Sequence, residues 1–426
     1  MREGEPIFTG EVWVEGDTIR YVGDGRDLDD FYKRTGQNAP RWDREIDCRG
    51  NLLMPGFKNA HTHSAMTFLR SSADDMPLSD WLNQQVFPYE AKLTPEDIYT
   101  LSKLAILEYL TSGITAVMEM YLTPESIADA FEEMGLRLVQ VGAVNNFSQS
   151  VDQVEEWFRT LNGRSPLTSF RLGFHAEYTC SRELLEQMAA LSHKYQAPVY
   201  THIAETKAEV EGCVERYGKT PVALLNELGL FEYGGAGYHL VHTTPEDRAI
   251  LKQKGIAVVT NPASNTKLAS GIAPIADYLR EGIPVAIGTD GPASNNCLDM
   301  FREMFLVTGL AKLREGDASA VPAGEVLKMA TVNGAHVLGQ PQTDSLAEGK
   351  LADMILIDLE QPNMQPIQNI ESNLVYSGSK LNVLMTMVNG HILYDRLQGG
   401  RAVYHVGEDP AAIYERAAQI RDRIFA

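Results

Sequence analysis

Between residues 52 and 313 the chain alternates short apolar segments with longer amphipathic ones, eight times over. The apolar segments are "LLMPGF", "GITAVMEM", "LRLVQVGAV", "FRLGFHA", "APVYTHI", "GAGYHLVH", "IAVVTN" and "IPVAIGTD". Near-continuous apolarity marks strands buried on both faces, as in a parallel sheet covered by helices. Helix-length segments lie between them. "TPEDIYTLSKLAILEYLTSG" opens with a Thr94–Asp97 start signal and Pro95 in its first turn, and "SRELLEQMAALSHKYQ" follows Ser181 as N-cap. Eight such units in roughly 250 residues predict an α/β fold, a (β/α)₈ TIM-type barrel. The competing architecture, a doubly wound open sheet, would carry a Gly-rich phosphate turn after an early strand, and none occurs.

Outside this region the pattern turns to β. "EVWVEGDTIRYVG" alternates around a Gly16-Asp17 turn, "KLADMILIDL" reads as a buried strand, and "NVLMTMVNGHILYDR" as a hairpin with Asn389-Gly390 in a type I′ turn. Neither end can hold a core alone. Residues 1–51 and 344–405 are therefore expected to form one small β-sandwich domain, with the barrel over 52–343 and a C-terminal helix over 406–426.

The formal net charge of −20 argues against nucleic acid and anionic membranes as partners and favours a neutral or cationic small molecule. Four cysteines without C-x-x-C spacing suggest a reducing compartment. The first ten residues show no apolar signal region, and no run reaches the ~20 apolar residues of a membrane span. A cytoplasmic enzyme is the expectation, assembled as a homo-oligomer.

Polar residues gather at the C-terminal ends of the predicted strands, where barrel enzymes keep their active sites. His61 and His63 follow strand one, His175 ends strand four, and His202 ends strand five with Glu205 three residues on. His239 and His242 end strand six, and Asp290 ends strand eight. His61, His63, His202 and Asp290 would supply three nitrogens and a carboxylate to one divalent transition metal with an open position. Zinc is the first choice, with iron or manganese compatible. Strand four has no lysine of the kind that bridges paired metals, so a single ion is expected. Such an ion acidifies water. Glu205 would then shuttle a proton, His239 would stabilise developing charge, and Asp290 would both ligate and accept a proton.

"PGFKNAHTHSAM", "THIAET", "NPASNTKLASGIAPI" and "GTDGPASNN" resemble the amidohydrolase superfamily. Within it the chain is similar to the methylthioadenosine/S-adenosylhomocysteine deaminase group, near the guanine and triazine aminohydrolases. "LSDWLNQQVFPYEAKLTPED" carries the likeness to adenosine-type deaminases. The resemblance implies deamination of a purine nucleoside, with Glu90 on the ribose hydroxyls, His175 against the nucleoside, Trp81 lining the purine pocket and Ser294 in the substrate site. Two departures stand out. "LVQVGAVNNFSQS" has no arginine where relatives accepting S-adenosylhomocysteine carry one, which favours smaller 5′ groups. Glu119, in "MEMY", replaces the usual aspartate. A guanine, pterin or triazine aminohydrolase is the enzymatic alternative, and a non-catalytic scaffold the other. Ser264 and Asn265 are read as loop-shaping residues, His242 as structural, and Met118 and Met120 as core fillers.

Overall fold

Eight parallel strands pair in chain order: Phe57–Thr62, Ile114–Glu119, Arg137–Val141, Thr168–Ala176, Val199–Ile203, Gly235–His239, Ile256–Thr260 and Val285–Ile287. They are strands one to eight below. The computed structural model describes residues 6–36, 40–72, 74–397 and 401–426. The small β domain expected from the sequence therefore has residues 1–5, 37–39 and 398–400 outside the described residues. Strand eight returns to strand one through polar groups. The Asp290 N–H donates to the His61 carbonyl at 3.0 Å. The Asn59 amide takes the Thr289 N–H at 2.8 Å and donates to its hydroxyl at 2.7 Å. Ala60, Met118, Val139, Tyr238 and Val259 fill the interior. Val337 and Leu338 join that cluster from the short helix region after strand eight, and the Val337 carbonyl accepts the Tyr200 hydroxyl at 3.1 Å.

The outer helices begin where the capping chemistry directs. Thr94 and Asp97 form a reciprocal capping box ahead of Pro95–Thr111, and Ser181 accepts the Leu184 N–H ahead of Arg182–Tyr195. Each cap satisfies donors that a helix start leaves open. The C-terminal helix, Pro410–Phe425, packs against Pro95–Thr111, and its Phe425 ring lies 4.5 Å from Tyr89.

A five-stranded sheet orders Val403–Tyr404, His391–Asp395, Val383–Val388, Met354–Ile357 and Leu52–Pro55, all antiparallel. The hairpin Glu11–Glu15/Thr18–Gly23 lies against it, with Ile19 buried among Met354, Leu356, Met385 and Met387. Asn389 and Gly390 both have positive φ, as a type I′ turn requires. One expectation is corrected. "LLMPGF" is not the first barrel strand: Leu52–Pro55 pairs with Met354–Ile357, and the barrel strand starts at Phe57. Gly56 makes the break. Its N–H reaches the Asp353 carbonyl at 3.1 Å, and a Cβ there would fall 2.1 Å from the Thr115 side chain.

The junction between the small sheet and the barrel floor is charged. Arg137, first in strand three, forks onto both oxygens of Asp353 at 2.8 and 2.9 Å, and both side chains are buried. Lys58 is equally buried and donates to the Gly56 carbonyl at 2.8 Å and the Thr115 hydroxyl at 2.9 Å. Burial lowers its pKa to about 8.

Candidate active site

At the opposite end of the barrel the strand termini converge on one cavity of about 330 Å³. His61 is the fifth residue of strand one and His63 lies one beyond its end. His61 and His202 bring their Nε2 atoms to 3.1 Å. Asp290 Oδ1 lies 3.6 Å from His61 Nε2 and 3.3 Å from His63 Nε2. His239 Nε2 closes the group at 3.8 Å from Glu205 and 3.9 Å from Asp290 Oδ2.

The far side of three imidazoles is tied to an oxygen acceptor. His202 Nδ1 faces the His175 carbonyl at 2.7 Å, His239 Nδ1 faces Asn265 Oδ1 at 2.7 Å, and His63 Nδ1 faces the Met120 carbonyl. Each partner requires a proton on Nδ1, which in a neutral ring leaves a lone pair on Nε2 directed at its neighbours. At His63, burial is outweighed by the Asp290 carboxylate 3.3 Å away, which raises the pKa to about 9. Burial and the neighbouring imidazoles hold His61 and His202 well below the usual histidine range, so both are neutral. Converging lone pairs beside a buried carboxylate are the donor set of a divalent metal, with outer hydrogen bonds fixing the tautomers. His61, His63 and Asp290 place one ligand atom each within 4.8 Å of one another, as do His61, His202 and His239. His239 therefore sits as close to the donors as the four residues expected to ligate.

Backbone conformation sharpens the site. Ala204, His239 and Asp290 all adopt positive φ, at 52°, 72° and 58°. Each costs on the order of 1–3 kcal/mol for a residue with a Cβ and persists only where its surroundings dictate it. Glu209 dictates the first: its buried carboxylate accepts the Ala204 and Glu205 N–H groups at 2.7 and 2.8 Å. Glu205 itself takes the Ser270 hydroxyl at 3.0 Å, and burial raises its pKa. Asp290 accepts the Ser264 hydroxyl at 2.6 Å and the Gly291 N–H at 2.7 Å. Glu119 receives the Ser64 N–H at 3.1 and 2.9 Å and its hydroxyl, which anchors the turn just beyond His63.

The cavity extends from this cluster to a helical segment over 78–90 whose middle, Trp81–Val86, is π-helical. Such widened turns are frequent at functional sites. Leu78, Trp81, Leu82, Val86, Phe87 and Glu90 line one wall from it. Glu90 is half-buried with its Oε1 shut off from solvent, and desolvation pushes its carboxyl up to about 7. The Tyr121 hydroxyl faces it without completing a hydrogen bond, leaving Glu90 Oε1 and Tyr121 Oη without partners, as is the Trp81 indole nitrogen. His175 also lines the cavity. Its Nδ1 meets the Thr179 hydroxyl at 3.0 Å, and burial lowers its pKa to about 4. Among the described residues, none that lines the cavity is a lysine or arginine.

Ser294 stands apart from Glu90, Trp81 and His175, the other residues expected to touch the substrate. It is buried outside the cavity lining, and its hydroxyl is spent on the Gly291 carbonyl at 3.2 Å. Ser264 and Asn265 do more than shape a loop, since they hold Asp290 and His239. Met120 lines the cavity and lends its carbonyl to His63. His242 turns away to the Ser270 carbonyl at 2.7 Å. Glu209 goes unmarked in the sequence, and Ser264 and Asn265 show there only as loop residues. Their one signal was position, within a few residues of a strand end.

Comparison with known proteins agrees with this geometry. A 5-methylthioadenosine/S-adenosylhomocysteine deaminase of Caldanaerobacter subterraneus subsp. tengcongensis is 40% identical over 404 residues, 93% of this chain and 91% of that protein. A protein of the same name from Syntrophomonas wolfei is 43% identical, covering 91% and 90%. The crystal structure of an adenosine deaminase from Xanthomonas campestris with bound zinc superposes with a TM-score of 0.88 at 34% identity, covering 97% of this chain and 93% of that one. A guanine deaminase from C. acetobutylicum shares the fold, with a TM-score of 0.78 at 22% identity, 89% of this chain and 93% of that one. The sequence pattern of the amidohydrolase family spans residues 52–393, from the small sheet through all eight barrel strands, and the chain belongs to that family.

Proposed function

We propose that this protein hydrolytically deaminates an adenine nucleoside, giving the inosine analogue and ammonia. Adenosine, 5′-deoxyadenosine and 5′-methylthioadenosine are the leading substrates. The reading rests on one observation: the cavity that holds the imidazole and carboxylate cluster also holds Glu90, a carboxylate with one oxygen buried and unpartnered. A free base offers that oxygen no hydroxyl donor, whereas a ribose offers two. The relatives' names support the same class.

His61, His63, His202 and Asp290 would hold one divalent cation, zinc in the first instance. When bound, it would acidify water at the site. Glu205 is placed to carry a proton from the attacking water to the purine ring nitrogen as the C6–O bond forms. Its burial, which favours the protonated form, suits a group that must hold a proton in mid-reaction. His239, its tautomer fixed by Asn265, is placed to stabilise charge at the tetrahedral carbon. Asp290 would take the remaining proton from the C6 hydroxyl and pass it to the exocyclic amine, so that as the C6–N bond breaks the oxygen becomes the C6 carbonyl and the amine leaves as ammonia. Glu90 and Trp81 orient ribose and base, and His175 contacts the nucleoside as a neutral imidazole. A lining without cations leaves the carboxylate of a homocysteine tail with no charge-assisted partner, which disfavours S-adenosylhomocysteine.

Ammonia release across adenosine, its 5′-deoxy and 5′-methylthio analogues, S-adenosylhomocysteine, guanine and adenine tests the reading. Turnover of the neutral nucleosides is expected. Turnover confined to free bases would overturn it.

A further inference from the structure

Glu303 lies on the helix Met300–Glu315, behind the loops that follow strands seven and eight. It is fully buried, and each of its two oxygens is held by a neutral amide. Its Oε2 accepts the Ala263 N–H at 3.1 Å and its Oε1 accepts the Asn295 amide at 2.7 Å. Ala263 immediately precedes Ser264 and Asn265, the partners of Asp290 and His239. Asn295 also donates to the Thr289 carbonyl at 2.6 Å, one residue before Asp290. One carboxylate thus ties the segment bearing Ser264 and Asn265 to the segment bearing Asp290. Burying a carboxyl costs desolvation that apolar packing in the same place would not. Burial raises its pKa to about 8.

We infer that Glu303 is a positioning residue: it sets the two loops in register so that Ser264 meets Asp290 and Asn265 meets His239. Glutamine at 303 keeps the volume but offers one acceptor and one donor, so one of the two loops loses its tether. The inference uses the cation site of the proposed function, but its test does not need the nucleoside.

The experiment titrates Zn²⁺ into metal-stripped protein for wild type, E303Q, S264A and the double variant, with melting temperatures recorded alongside. E303Q is expected to weaken Zn²⁺ binding about tenfold, in the range seen when outer partners of metal ligands are lost. In the S264A background the same change is expected to cost less than about threefold, because the bond through which Glu303 acts is already gone. Where the nucleoside assay works, kcat should follow the same pattern with KM nearly unchanged. Unchanged Zn²⁺ affinity in E303Q, or losses that multiply independently, would overturn the inference. If E303Q does not fold, N295A severs the other end of the tether and is held to the same outcomes. Wild-type protein that binds no Zn²⁺ overturns this inference together with the metal reading. Protein that binds Zn²⁺ but deaminates no nucleoside overturns the proposed function alone.

Discussion

The two ends of the barrel bury charge in opposite ways. At the floor, charged groups have their hydrogen bonds filled: Arg137 forks onto Asp353, and Lys58 donates to a carbonyl and a hydroxyl. At the mouth, imidazole lone pairs and carboxylates crowd together, three residues sit at positive φ, and Glu90, Tyr121 and Trp81 keep unpartnered polar atoms. The floor is arranged so that nothing further need bind. The mouth stores unfavourable contacts that a cation and a substrate would relieve, in keeping with strain concentrated at functional sites. Substitutions should therefore separate the two ends, with the floor governing stability and the mouth governing turnover.

Glu205→Gln makes the sharpest test of the mouth. It preserves shape and the Ser270 contact but removes the proton carrier. The kcat for adenosine deamination should fall about 10²–10⁴-fold, the usual contribution of a general acid–base group. The melting temperature should hold or rise. A large loss of stability with kcat per folded molecule intact would erase the distinction between the ends.

Arg137→Met makes the matching test of the floor. It strands a buried carboxylate, which costs about 3–5 kcal/mol when one partner of a buried pair is removed. The Asn389 N–H still reaches Asp353 at 2.8 Å, so the lower part of that range is expected in denaturant unfolding. Activity per folded molecule should stay within about twofold of wild type.

Lys58 tests the floor through pH. Its folded pKa of about 8 lies below the ordinary 10.5. Below about 8 both states carry the charge and the folded state bears its full burial cost. Between about 8 and 10.5 the folded state is neutral while the unfolded chain still binds the proton, so stability rises with pH in that window. Relative to Lys58→Met, wild type should gain up to on the order of 3 kcal/mol across it, read from urea unfolding at successive pH values. Parallel curves for the two proteins would show that Lys58 does not titrate there.

These contrasts also explain what the sequence disclosed. The mouth was legible because its chemistry needs rare residue types at strand ends: His61, His63, His202, His239 and Asp290 announce themselves by identity and position. The barrel was legible because parallel strands are apolar throughout. What escaped was relational. Nothing in "LLMPGF" shows that its first four residues pair with Met354–Ile357, about 300 positions away, while its last residue opens the barrel. Ser264 and Asn265 are common loop residues whose hydrogen bonds to Asp290 and His239 appear only once strands six, seven and eight stand side by side. Ser294 lies four residues after Asp290 in "GTDGPASNN", but the turn points its hydroxyl back at Gly291.

The smallest expected effect bears on whether Glu90 belongs with the unsatisfied mouth. If its free oxygen waits for ribose, Glu90→Gln should raise KM for adenosine about tenfold, near the low end for a hydrogen bond to a charged group. The kcat should change little, because ribose lies away from the reacting carbon. Wild-type KM should itself climb as pH falls through about 7, where the carboxyl takes up a proton and becomes a poorer acceptor, and Glu90→Gln should lose that dependence. Adenine without ribose should show neither effect. A variant whose KM is unchanged, or which loses the nucleoside and the free base equally, would make Glu90 a carboxyl that merely packs at the mouth.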